Sequence, residues 1–140
     1  LDFLNEMHHH LKDQITDDQY HVIVGDMNIA PHVNDVWSHR QLINVVSHTE
    51  VERSKILEII NNQNFCDVLR YFADEDEKVY SWWSYRNRDW KKSNRGRRLD
   101  HIWITENLLE YYNEHHIFRI ARDFERPSDH VPISITLQVS

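Results

Sequence analysis

The period of the apolar positions changes several times along the chain, and each change marks an element. Leu1, Leu4, Leu11 and Ile15 fall near 3.6-residue spacing and predict an amphipathic helix over residues 1–15. His8, His9 and His10 lie inside it and must point in three directions, which argues for a solvated face over a shared metal site. His21-Val22-Ile23-Val24 is a short β-branched run that stops at Gly25 and predicts a buried strand. A loop rich in Asp, Asn and His runs on through Pro31 to about Val46. Helical spacing returns from Glu50 to Asn62, with Val51, Ile56, Ile59 and Ile60 on the apolar side and Thr49 and Glu52 placed as a capping pair.

The second half reads as shorter pieces. Phe65–Phe72 is ordered but undecided in type; Tyr80–Trp83 and Arg98–Thr105 read as strands, Glu106–Tyr112 as a short helix and Ile117–Ala121 as a strand. Val131, Ile133, Ile135, Leu137 and Val139 alternate along one face of a last strand. Strands mixed with helices, several in hairpin-like succession, predict an α/β or α+β sandwich. No repeat or linker interrupts residues 1–140, so they read as one piece.

Composition narrows the class. A 40% apolar, 11% aromatic chain suits a globular core. No run of 18 apolar residues offers a membrane span, and the first residues do not resemble a secretory signal. A single cysteine, Cys66, fits a reducing compartment, so the expected location is cytoplasmic. Net charge is −7, which taken alone argues against nucleic acid. Its distribution argues the other way. Arg86 to Arg98 holds seven basic residues against one acid, a stretch of +6 on a body of −13. Such a stripe can neutralise phosphates, although a solvated basic loop has the same composition.

Glycine and proline fall where chemistry-bearing residues cluster. Gly25 opens Gly-Asp-Met-Asn-Ile-Ala-Pro, Gly96 precedes Arg97-Arg98-Leu99-Asp100-His101, and Pro127 and Pro132 flank Ser128-Asp129-His130. Each turn adjoins a predicted strand, where α/β folds collect functional groups. Asp26 and Asn28 are spaced by two, so both side chains project to one side if extension continues. Carboxylates with a carboxamide and no cysteine cluster suit a hard, oxygen-loving cation such as Mg²⁺ or Mn²⁺. With an oriented water, such a set could hydrolyse a phosphodiester. An isolated Asp-His pair is also a common turn and cap.

Four segments in register carry a resemblance. Gly25–Pro31, Tyr80-Ser81-Trp82-Trp83-Ser84-Tyr85-Arg86, Arg95–His101 and Pro127-Ser128-Asp129-His130-Val131-Pro132 resemble the exonuclease III and AP endonuclease family in order and spacing. That family lies within the endonuclease/exonuclease/phosphatase superfamily. Trp37–Leu42 followed by Val45–Thr49 is similar to a bacterial subgroup associated with alphaproteobacteria. The resemblance implies the C-terminal half of a four-layer α/β sandwich with a mixed, mostly antiparallel sheet and flanking helices. It implies that Asp26 orients the attacking water, Asn28 steadies the phosphoryl oxygens, His130 contacts the scissile phosphate and Asp100 fixes its tautomer. Asp129, with Asp26 and Asn28, would help hold the metal. Trp82 and Leu99 would wall a pocket for an extruded abasic sugar, Arg86 would insert toward the lesion, and Arg95 and Arg97 would meet DNA. The implied substrates are duplex DNA with abasic sites or 3′ ends.

Departures from the family qualify this. Ser84 stands where many members have Asp, and Arg97 where an aromatic or aliphatic residue is common, making the pocket rim more polar. The family's first half supplies an Asn, a metal-binding Glu and a catalytic Tyr that cannot be placed here. The expectation is therefore a fragment deficient in catalysis alone, with an apolar sheet face left for its missing N-terminal half. Two other readings share the motifs: a superfamily phosphoesterase acting on a phospholipid or nucleotide, and a non-catalytic DNA-binding fragment.

Overall fold

The computed structural model describes residues 2–15 and 19–139; Leu1, assigned above to the first helix, lies outside them. Helix α1 (Asp2–Gln14) buries Leu4, His8 and Leu11 along one stripe. His8 thus belongs to the core face and not to a solvated one; its Nδ1 meets Lys55 Nζ at 3.3 Å. His9 and His10 point outward, as three successive helical positions require.

Strand β1 (Val22–Asp26) precedes a long loop that contains the short helix α2 (His39–Leu42). Helix α3 (Glu50–Asn62) then opens on a full capping box between Thr49 and Glu52. Ile56, Ile59 and Ile60 are buried, but Val51 is 61% exposed. Five residues before Ile56, it stands roughly 140° around the helix and misses the stripe. The undecided segment resolves into strand β2 (Phe65–Asp67) and a single helical turn, α4 (Val68–Tyr71).

Three strands form the central sheet in the order β1-β5-β2, where β5 spans Asp100–Thr105 and both pairings are antiparallel. Alternation along β5 divides the core. Trp103 faces Leu4, Leu11, Ile56, Ile59 and Phe65, whereas Ile102 and Ile104 face Cys66, Val68 and Leu108. Each such side chain contributes roughly 2 kcal/mol when fully buried. β1 differs from its expected burial: Ile23 packs on the helices, but Val22 and Val24 are 45% and 63% exposed. Theirs is an edge strand covered on one face only.

Strand β3 (Trp82–Trp83) is shorter than its reading and pairs with β4 (Gly96–Arg97). Between them lies helical turn α5 (Trp90–Ser93). Residues Glu106–Tyr111 form a 3₁₀ segment, not an α-helix. The expected strand at Ile117–Ala121 is displaced. Strand β6 occupies Tyr112–Ile117 and pairs with β7 (Ile133–Leu137), while Arg119–Asp123 coils into a 3₁₀ turn. The Ile117↔Ile133 pair and Phe118 N–H donating to the Pro132 carbonyl end the ladder there. Val139, past the end of β7, is exposed; Ile133, Ile135 and Leu137 pack toward Ile102 and Ile104. The architecture is a mixed α+β arrangement with an antiparallel sheet and flanking helices. Among the described residues no helix is long and apolar enough to cross a membrane.

Candidate active site

The register of the central sheet sets Asp26, the last residue of β1, directly opposite Asp100, the first of β5. Like charges in that relation destabilise a ladder, so a compensating group is required. His130 supplies it. Its Nδ1 lies 2.8 Å from Asp100 Oδ2 and its Nε2 3.6 Å from Asp26 Oδ2. Backbone pairing delivers the imidazole: Trp82 bridges His130, Trp83 N–H donates to the Asp129 carbonyl, and Val131 N–H to the Ser81 carbonyl. Asp100 is fixed from below by buried Ser81, whose Oγ accepts from the Leu99 and Asp100 amides at 3.0 Å each.

The carboxylate of Asp100 only accepts, so His130 Nδ1 carries a proton. Partial burial works against a second proton on the ring. The Asp100 hydrogen bond and charge, then the charges of Asp26 and Asp129, outweigh it and hold the pKa above that of an ordinary histidine. Asp26 is half exposed and Asp100 nearly covered. One donor atom from each of Asp26, Asp100 and His130 lies within 4.8 Å of the others. The two carboxylates, with no thiolate beside them, fit a hard divalent cation.

Asn28 follows a different path from the expected one. Extension does not continue past Asp26: Asn28 has φ 53, and its amide donates to Asp26 Oδ1 at 2.8 Å. Asn tolerates this left-handed conformation better than most residues, and the turn sets it beside the carboxylates. Asp129 is not among the three clustered residues; its Oδ2 accepts from the Trp82 indole at 2.9 Å.

Beside this cluster an open groove of about 430 Å³ is lined by Trp37, Trp82, Arg86, Arg95 and Arg97. Arg97 lies 5.3 Å over the Trp82 ring and donates to Ser47 Oγ at 3.1 Å; Arg95 lies 4.6 Å over Trp37. Leu99 does not line the groove: it is buried with Ala30, Val36 and Leu42, against which Trp82 packs. Trp83 is core, stacked edge-on with Trp90. The basic stripe loses one member. Arg98 is fully buried, with bonds of 2.7–2.9 Å to Asp35 and Asp67, so it presents nothing to a ligand.

Residues 1–130 match the family model for the endonuclease/exonuclease/phosphatase family. The chain belongs to that family. It is 30% identical over 117 residues to an exodeoxyribonuclease III of Haemophilus influenzae, covering 80% of this chain and 43% of that protein. An AP endonuclease structure from Archaeoglobus fulgidus superposes with a TM-score of 0.91 at 31% identity, over 99% of this chain and 53% of that one. A 3′-5′ exonuclease from Neisseria meningitidis shares the fold at a TM-score of 0.88 and 24% identity, over 99% and 53%. The chain thus spans about half the length of these relatives.

Within this family member, several supporting residues escaped sequence reasoning. Ser81 had a signal only in its place between two strand residues. His48 and His101 are fully buried and grip the loop after Asn28, yet nothing in their spacing distinguished them from solvated histidines. Asp35 lay in a loop that read as polar, and its burial becomes intelligible only with Arg98 and Arg70 in place.

Proposed function

We propose that this chain carries part of a Mg²⁺-dependent DNA-repair phosphodiesterase of the exonuclease III type, with Mn²⁺ able to substitute. Its substrates in this reading are duplex DNA at abasic sites and at 3′ ends, in a bacterial cytoplasm. The observation that carries the proposal is the convergence of Asp26, Asp100 and His130 at the edge of an aromatic and basic groove. The names of the similar proteins from Haemophilus and Archaeoglobus support DNA as the substrate class.

Asp26, with Asn28 and Asp129 nearby, would hold the divalent cation, which would supply charge neutralisation on the phosphoryl oxygens. The chain's own groups do the rest. Asp26 is exposed enough to orient a water, and its second oxygen is occupied by the Asn28 amide. That amide bond leaves the Asn28 carboxamide to steady a phosphoryl oxygen. His130, held by Asp100 on Nδ1, turns Nε2 toward the phosphate. Trp82 offers an apolar wall, and Arg86, Arg95 and Arg97 offer cations along the strand.

The remaining catalytic groups are assigned in this reading to residues outside the 140, on a surface that includes the exposed Val22 and Val24. The test is incision of an abasic duplex by the complete polypeptide, compared with a soluble phosphodiester. Mg²⁺-dependent cleavage of the duplex, abolished by Asp26→Ala and His130→Ala, is expected. Preference for the soluble ester would instead favour another phosphoesterase specificity.

A further inference from the structure

The strand bearing Asp26 ends in a turn, so sheet pairing alone cannot hold Asn28 beside the carboxylates. The next two residues direct their carbonyls into the interior. Ile29 O accepts from His101 Nε2 at 2.8 Å, and Ala30 O accepts from His48 Nδ1 at 2.7 Å. Carbonyls only accept, so the proton on each ring is assigned and the other ring nitrogen of a neutral imidazole is an acceptor. Both acceptors are filled. Trp103 Nε1–H donates to His101 Nδ1 at 3.1 Å, and His39 Nδ1–H donates to His48 Nε2 at 2.7 Å. Both imidazoles are fully buried, and each ring donates through one nitrogen and accepts through the other, which is the pattern of the neutral form.

We propose that His48 and His101 are positioning residues: a pair of neutral imidazoles that clamps two consecutive carbonyls and so fixes Asn28 against Asp26. The catalytic consequence rests on the active-site reading above; the structural clamp does not.

Residue 47 strengthens the argument. Ser47 is buried at φ 81, a left-handed conformation that costs a serine energy and persists only where its neighbours enforce it. Held so, its carbonyl accepts from Ala30 N–H at 2.8 Å, its amide donates to Glu52 Oε1 at 2.9 Å, and its hydroxyl accepts from Arg97. The turn before α3 therefore grips the Asn28 loop through Ser47 and His48, and the groove's guanidinium through Ser47. Two histidines merely filling core space would not need their donors at these particular atoms.

That distinction gives the test. Asparagine places an amide N–H near the position of Nδ1, and glutamine near that of Nε2. At position 48, His48→Asn should preserve the clamp and His48→Gln should break it; at 101, His101→Gln should preserve it and His101→Asn should break it. Two readouts on the 140-residue chain follow: hydrogen exchange at the Asn28 and Ala30 amides, and Mn²⁺ affinity from paramagnetic broadening. The breaking variants should exchange at least roughly tenfold faster at both amides and bind Mn²⁺ roughly tenfold more weakly, with β6 and β7 amides unchanged. Equal exchange in the asparagine and glutamine variants at either position would overturn the proposal. Should a variant fail to fold, His39→Phe removes only the donor to His48; unchanged Ala30 exchange there would equally overturn the role of His48. A wild-type chain without Mn²⁺ binding would sink the active-site reading, while exchange would still decide the clamp.

Discussion

Arg98 and Asp100 are two residues apart, yet they belong to opposite kinds of electrostatic site. Around Arg98, two guanidiniums and two carboxylates complete one another: Arg98 bonds Asp35 and Asp67 through paired contacts, and Arg70 reaches Asp35 at 2.6 Å. Burial pushes the Asp35 carboxyl upward, but the Arg98 charge and hydrogen bond, with those of Arg70, hold it at about 2. Around Asp100, two carboxylates face one imidazole in partial contact with water. The first set is closed and satisfied; it joins the 3₁₀ turn Val33–Asp35, β2 and the approach to β5. The second carries uncompensated negative charge at an accessible place. Complete pairing builds the scaffold, and deliberate incompleteness leaves room for a cation.

The sharpest way to break this contrast is Arg98→Ala. It leaves Asp67 without its cation and Asp35 with Arg70 alone, and should cost about 3–5 kcal/mol, read as a fall in urea midpoint at neutral pH. A cost below about 1 kcal/mol, typical of an exposed pair, would show that the network is not the scaffold described.

Acid should dissect the same network. Because the folded-state pKa of Asp35 lies below its ordinary 3.8, its contribution is present above that value and is lost as pH falls toward 2. The loss should be on the order of 2 kcal/mol. Urea unfolding at pH 7, 4 and 2.5 should show it in the wild type and not in Asp35→Asn; parallel profiles would contradict the assignment.

At the open site the effects should fall on binding and not on folding. Asp26→Asn should weaken divalent-cation affinity at least roughly tenfold while stabilising the metal-free chain by a few tenths of a kcal/mol, since it relieves carboxylate repulsion across the strands. Calorimetric titration and thermal unfolding read the two effects separately. Smallest of all, Arg95→Ala should lower duplex-DNA affinity in the complete polypeptide and reduce the salt slope by about one, independent of sequence. An unchanged slope would remove Arg95 from the phosphate track.

Local signals made α1, α3 and the central strand legible. The capping pair Thr49 and Glu52 and the stripe of Ile56, Ile59 and Ile60 gave α3 to the residue, because nearest-neighbour chemistry decides it. β6 was misplaced because its Tyr-Asn-Glu-His-His-Ile sequence has little apolar alternation; pairing with β7 makes it a strand. The meeting of Asp26, Asp100 and His130 was legible only through motif resemblance, since their convergence is a matter of register across β1, β5 and the turn after Pro127. Arg98 illustrates the limit most clearly. Within a run of seven cations its fate as the one fully buried member depends on Asp35 and Asp67, distant in sequence and unremarkable in their own segments.

The location of a bound Mn²⁺ tests the central claim most directly. In nitrogen-15 spectra of the 140-residue chain, substoichiometric Mn²⁺ should broaden the amides of Asp26–Asn28, Asp100 and Asp129–His130 first, and Asp26→Asn should abolish that pattern. Broadening centred instead on the acidic run Asp74–Glu77, or a pattern at Asp100 and His130 indifferent to Asp26→Asn, would contradict a cation site centred on Asp26.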